Sequence, residues 1–117
     1  MVAVRVLVLE DELSVRSLLE RYLIRAGYHV TSAASGADVL EGTEVWDLAI
    51  VDFSLPGMSG DEVIRRLRHR LPALPAILTS GSPLRDPSEP GMRFLQKPFA
   101  PARLLDTARE LLGSVQC

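Results

Sequence analysis

Two runs of nearly unbroken aliphatic residues, Ala3–Leu9 and Leu48–Val51, are each followed by a stretch whose apolar side chains recur at helical spacing. A strand with apolar residues on both faces has to be covered on both, which is the condition of a central strand in a parallel sheet. Three further runs continue the alternation: Tyr28–Ala33, more polar and suited to a sheet edge, then Ala76–Ser80 and the short Arg93–Gln96. After Leu13, the residues Val15, Leu18, Leu19, Tyr22, Leu23 and Ala26 form a helical stripe that Gly27 stops. Ser35 can cap a short helix through Leu40. Leu55-Pro56-Gly57-Met58 reads as a turn, and Ser59 and Glu62 have capping-box spacing for a helix burying Val63, Ile64 and Leu67. Arg65, Arg66, Arg68 and Arg70 fall on its other side as a solvated basic face. Pro101 opens a last helix carrying Leu104, Leu105, Ala108, Leu111 and Leu112.

The alternation breaks once. Between the fourth and fifth strands stand Pro83, Pro87 and Pro90, and each proline costs about 3 kcal/mol in a helix interior. The spacing predicts a loop there, with at most one helical turn. The whole pattern predicts an α/β domain with a doubly wound parallel sheet and helices on both faces.

Length and charge narrow the function. At 117 residues the chain has room for one domain, spanning 1–117. Its 15 acidic and 13 basic residues give a net charge of -2 spread along the chain, against direct nucleic-acid binding. Hydrophobic residues at 47% and charged ones at 24% match an ordinary soluble globular protein. A single cysteine, Cys117, leaves no internal disulfide and no cysteine-based zinc site, and reads as a terminal thiol without a role. The apolar run from Met1 is interrupted by Arg5, too short to span a bilayer, and without a signal-peptide cleavage pattern. A cytoplasmic protein without membrane insertion is the expectation.

In an open parallel sheet, ligands bind beyond the carboxyl ends of the strands. Reading those ends in turn places Glu10 and Asp11 after the first strand, Asp52 after the third, Thr79 and Ser80 at the fourth, and Lys97 after the fifth. Each has an ordinary structural explanation, since acids at strand ends are usually solvated and a threonine in a strand is usually packed. Asp47, Asp61, His29 and His69 receive no role on that ground. Lys97 is more telling, because the chain has this one lysine among 13 basic residues. An ammonium meets a phosphate or carboxylate as a point charge, where arginine presents a wide fork. Three clustered carboxylates repel one another unless a cation sits among them. An all-oxygen donor set suits Mg²⁺ with a phosphoryl group. The glycine-rich phosphate loop of nucleotide binders is absent after the first strand, where Glu10-Asp11-Glu12 would repel a free phosphate.

With these residues placed, the sequence resembles the receiver domain of two-component response regulators from about Val4 to Leu112. The motifs are Val8-Leu9-Glu10-Asp11-Glu12, Asp47 through Asp52, Leu55 through Gly60, Leu78-Thr79-Ser80-Gly81 and Lys97-Pro98-Phe99, in family order and spacing. The resemblance implies a flavodoxin-like five-stranded sheet in the order 2-1-3-4-5, with the helix before the fifth strand shortened or replaced by a Pro-rich loop. It implies that Asp52 accepts a phosphoryl group from a phosphohistidine donor, a histidine kinase or a histidine phosphotransfer protein. Asp11, Asp52 and the backbone carbonyl of Ser54 would ligate Mg²⁺, with Glu10 acting mainly through metal-bound water. Lys97 and Thr79 would meet phosphoryl oxygens, and Thr79 and Phe94 would form the conformational switch. A cis peptide at Lys97–Pro98 is also implied, X–Pro lowering the cis penalty to roughly 0.5–1 kcal/mol.

Departures from the family matter as well. Glu10 stands where Asp is commoner, a change the family tolerates because that residue works through water, and Ser80 stands where Ala or Gly is frequent, which implies an altered phosphoryl lifetime. The missing helix makes the family's dimer through that region doubtful here. The phrasing around Ser59-Gly60, Ser80-Gly81 and Gln96 through Phe99 resembles receivers of hybrid histidine kinases. With no effector segment after Leu112, the expectation is a receiver without its own DNA-binding element, standing alone or excised from a larger chain. Two rivals are a pseudo-receiver, acting as an interaction module without phosphorylation, and a Mg²⁺-dependent phosphatase. The phosphatase would need a second carboxylate two residues after its nucleophile, where Ser54 stands.

Overall fold

The two aliphatic runs lie side by side at the centre of the sheet, as their two-faced apolar character requires. The computed structural model describes residues 3–85 and 89–116, with 114–116 as backbone alone; Pro87 and Cys117 lie outside the described residues. Strands β1 (Arg5–Leu9), β2 (His29–Ala33), β3 (Leu48–Asp52), β4 (Ala76–Ser80) and β5 (Met92–Gln96) form one sheet in the order β2-β1-β3-β4-β5. Every neighbouring pair is parallel. All five residues of β3 are buried, whereas the more polar β2 takes the edge with none fully buried.

Side-chain alternation divides the core in two. Leu7, Leu9, Ala49, Val51 and Leu78 pack against α2 (Ala37–Leu40) and α3 (Gly60–Arg70) through Val39, Val63, Ile64 and Leu67. Val6, Val8, Leu48, Ile50 and Ile77 pack against α1 (Leu13–Arg25) and α4 (Pro101–Gln116) through Leu19, Leu23, Leu104 and Ala108. Each valine, leucine or isoleucine among them contributes about 1.5–3 kcal/mol when fully buried. Both faces must be covered to collect that energy, and this holds the strand ends in register at one rim. Among the described residues, no helix is long and apolar enough to cross a membrane.

Several local expectations are corrected. Ser35 does not cap α2: Gly36 holds the N-cap position, and Ser35 Oγ donates to Asp38 Oδ2 at 3.2 Å. Ser59 does occupy the N-cap of α3 with extended backbone, but no side-chain capping bond forms, and Glu62 pairs with Arg65 and Arg66 instead. In α1 only Leu19 and Leu23 are buried, and Leu18 is exposed. The basic face of α3 is not uniformly solvated either. Arg70 is half-buried over the Trp46 ring, 5.7 Å from its centroid, and donates to the carbonyls of Glu44 and Val39.

Arg68 organises the break in the alternation. Its Nε and Nη2 donate to the Leu74 carbonyl at 3.0 and 2.9 Å. Nη2 also reaches the Pro90 and Gly91 carbonyls at 3.4 Å, and Nη1 pairs with Glu89 at 3.2 Å. One guanidinium therefore joins the turn before β4 to the residues leading into β5. The described residues of this connection, 81–85 and 89–91, contain no helix, as the proline spacing predicts.

Candidate functional site

Parallel strands that share a register end together, and here that rim gathers the acids. Glu10 immediately follows β1 and is buried, with its N–H donating to the Ala33 carbonyl at 3.1 Å. Asp11, the next residue, is exposed. Asp52 is the last residue of β3, buried, and paired in register with Thr79 of β4. Register partners on neighbouring strands carry their side chains on one face, so the Thr79 hydroxyl and the Asp52 carboxylate share it. Oxygens of Glu10, Asp11 and Asp52 all lie within 4.8 Å of one another.

Lys97 supplies the cation that such a cluster needs. Its Nζ donates to both Glu10 oxygens, at 3.1 and 3.0 Å, and to Asp52 Oδ2 at 3.2 Å. An ammonium has three hydrogens and no acceptor, so all three donors are used. The other Asp52 oxygen, Oδ1, accepts the Ser54 backbone N–H at 3.2 Å. Lys97 is held in place by its own N–H on the Ser80 carbonyl at 2.7 Å, and its peptide to Pro98 is cis.

Burial and crowding set the charges. Desolvation, helped by the neighbouring Asp52, pushes the Glu10 carboxyl up to about 7 against the opposing pull of Lys97. For Lys97, burial disfavours the ammonium, but Glu10 and Asp52 more than offset it and raise its pKa above the ordinary lysine value. Glu10 thus lies between its protonated and charged forms near neutral pH, beside the Lys97 cation.

A response regulator receiver domain model matches residues 6–109. The chain belongs to that family. Among relatives, the receiver is 33% identical to the uncharacterized transcriptional regulatory protein YbdJ of Bacillus subtilis, over 92% of this chain and 50% of that protein. It is 35% identical to the transcriptional regulatory protein GltR of Pseudomonas aeruginosa, over 95% of this chain and 50% of the relative. The chain thus spans about half the length of these two relatives. Among solved structures, the receiver domain of the hybrid histidine kinase CckA matches with a TM-score of 0.81 and 34% identity, covering 92% of this chain and 98% of that one. A response regulator receiver protein from Sinorhizobium medicae matches at 0.87 with 29% identity, covering 95% of both.

The remaining candidates of the receiver are placed as follows. Phe94 is half-buried in β5, in register with Leu78 of β4. Ser54 is exposed beside Asp52. Ser80 is buried, and its Oγ accepts the Ser82 N–H at 3.1 Å, which closes the turn after β4. Two further residues touch the site: Gly60, which the sequence offers only as the end of a motif, and Arg16, which the sequence reading does not single out. A Cβ on Gly60 would stand 2.3 Å from the Asp52 carbonyl oxygen, so only glycine fits there. Arg16 Nη1 donates to the Glu10 carbonyl at 2.8 Å. A glycine opening a helix and an arginine in a first turn both run against local preference, and that is the signal each leaves.

Proposed function

We propose that this receiver takes a phosphoryl group from a phosphohistidine onto Asp52 in a Mg²⁺-dependent reaction and changes conformation in response. The observation that carries the reading is the convergence of Glu10, Asp11, Asp52 and Lys97 at one rim, with Thr79 in register with Asp52. An oxygen of the Asp52 carboxylate forms the new bond to phosphorus. The phosphorus–nitrogen bond of the donor breaks, and the imidazole leaves with its electron pair. Lys97, which donates to Asp52 Oδ2, would meet one phosphoryl oxygen, and the Thr79 hydroxyl would donate to another. Positioning and charge neutralisation are most of what phosphoryl transfer requires.

The donor set is all oxygen, which fits Mg²⁺. Asp11, Asp52 and the Ser54 carbonyl would hold the ion, with Glu10 contributing through water, and the ion would neutralise charge on the transferred group. Thr79 drawn toward the phosphoryl group, with Phe94 turning inward, is the proposed switch. Residues 1–117 act in this reading as one cytoplasmic signalling domain that catalyses only its own phosphorylation and dephosphorylation. Its donor is a histidine kinase or a histidine phosphotransfer protein. The pseudo-receiver reading finds no support in a site whose acceptor, lysine and threonine are all present.

Intact mass after incubation with Mg²⁺ and acetyl phosphate, beside Asp52→Asn, tests this. One added phosphoryl group in the parent alone is the expected result. No gain in the parent, or an equal gain in the variant, contradicts the assignment.

A further inference from the structure

We propose that Arg16 is a positioning residue for Asp11, holding the turn after β1 in the geometry that metal binding needs. The inference rests on the Mg²⁺ reading above and extends it to a residue outside the cluster. Arg16 is the fourth residue of α1, where the positive end of the helix dipole disfavours a cation and the compensating acids, Glu10, Asp11 and Glu12, all precede the helix. The side chain is nonetheless half-buried and turned back so that Nη1 donates to the Glu10 carbonyl at 2.8 Å.

That carbonyl oxygen lies in the same rigid plane as the nitrogen and Cα of Asp11. Fixing it therefore fixes where the Asp11 side chain starts. Glu10 is held from its other sides by Lys97 on both carboxylate oxygens and by the Ala33 carbonyl on its N–H. Asp11 has no such support of its own. It is exposed, and among the described residues no donor holds its carboxylate. Glu12, the N-cap of α1, makes no side-chain capping bond that would stiffen the turn instead. Arg16 is thus the side chain through which α1 sets the direction of Asp11.

The test separates positioning from charge by sign. A cation beside a Mg²⁺ site repels the ion, so deleting Arg16 would tighten binding if charge were its whole effect. If it orients Asp11, deletion weakens binding. Mg²⁺ titration of ¹⁵N-labelled protein, followed by the amide shifts of residues 10–12, reads affinity without any phosphoryl transfer. Arg16→Met is expected to bind about tenfold more weakly, the low end of what outer-shell changes cause. Its melting temperature is measured alongside; should it not fold, Arg16→Gln, whose amide falls short of the carbonyl, takes its place with the same expectation. Unchanged or tighter binding, with Asp11→Asn still losing affinity, overturns the proposal and leaves the Mg²⁺ reading standing. A parent without saturable shifts, or Asp11→Asn binding as tightly as the parent, overturns both.

Discussion

Glu10 is the most deeply buried acid of the cluster. One methylene longer than aspartate, it brings both oxygens to Lys97 from a fully enclosed position. The folded chain holds the Glu10 proton up to about pH 7, against 4.5 for the free side chain. Between those values the folded state binds more proton than the unfolded one, so stability falls as pH rises from about 4.5 to about 7 and levels off above. Thermal unfolding without divalent ions is expected to show that decline, and Glu10→Gln to flatten it. A parent curve that is flat across the window would contradict the raised value. Gly60 lies against the Asp52 backbone. Gly60→Ala places a methyl group 2.3 Å from the Asp52 carbonyl oxygen, so it is expected to lose about 3 kcal/mol and much of its phosphoryl acceptance. Urea unfolding and intact mass would measure the two effects, and near-parental values of both would show that the backbone yields cheaply.

At the scale of elements, propensity and periodicity locate the strands and helices well, but hydrogen-bond partners are a different matter. The Ser59 spacing marks the start of α3, yet the Ser59 side chain makes no capping bond, and Glu62 pairs with Arg65 and Arg66. The prolines disfavour a helix before β5, but nothing in their spacing says what holds the connection. Arg68 does so, gathering the carbonyls of Leu74, Pro90 and Gly91. Hydrogen bonds to a charged group contribute about 1.5–3 kcal/mol. Arg68→Ala is therefore expected to lower stability by about 2 kcal/mol in urea unfolding, with Arg68→Lys recovering only part because it lacks the fork. A loss below about 0.5 kcal/mol, the level of an ordinary surface substitution, would show that the connection is held by other contacts.

For the whole molecule, a connection between β4 and β5 whose described residues contain no helix changes which surfaces are available. A stable protein interface buries about 1,600 Å² in total, and a dimer built across the region between β4 and β5 would lack the helix that supplies part of it. No phosphorylation-dependent dimer through this surface is expected in light scattering. A phosphorylation-dependent dimer, broken by substitution of Arg85 or Arg103, would show that the surface serves anyway. The aliphatic runs by themselves determined that β1 and β3 lie at the centre, that β2 lies at the edge, and that Glu10, Asp11, Asp52, Thr79 and Lys97 fall at strand ends. These are consequences of burial, which depends on residue type and period alone. Only the tertiary structure decided that Lys97 meets Glu10 and Asp52 at once, that Gly60 lies against the Asp52 backbone, and that Arg16 and Arg68 turn inward onto carbonyls. Such contacts join residues 6 to 87 positions apart, and their geometry arises when packed layers bring distant backbone groups within hydrogen-bond reach, which no local pattern encodes.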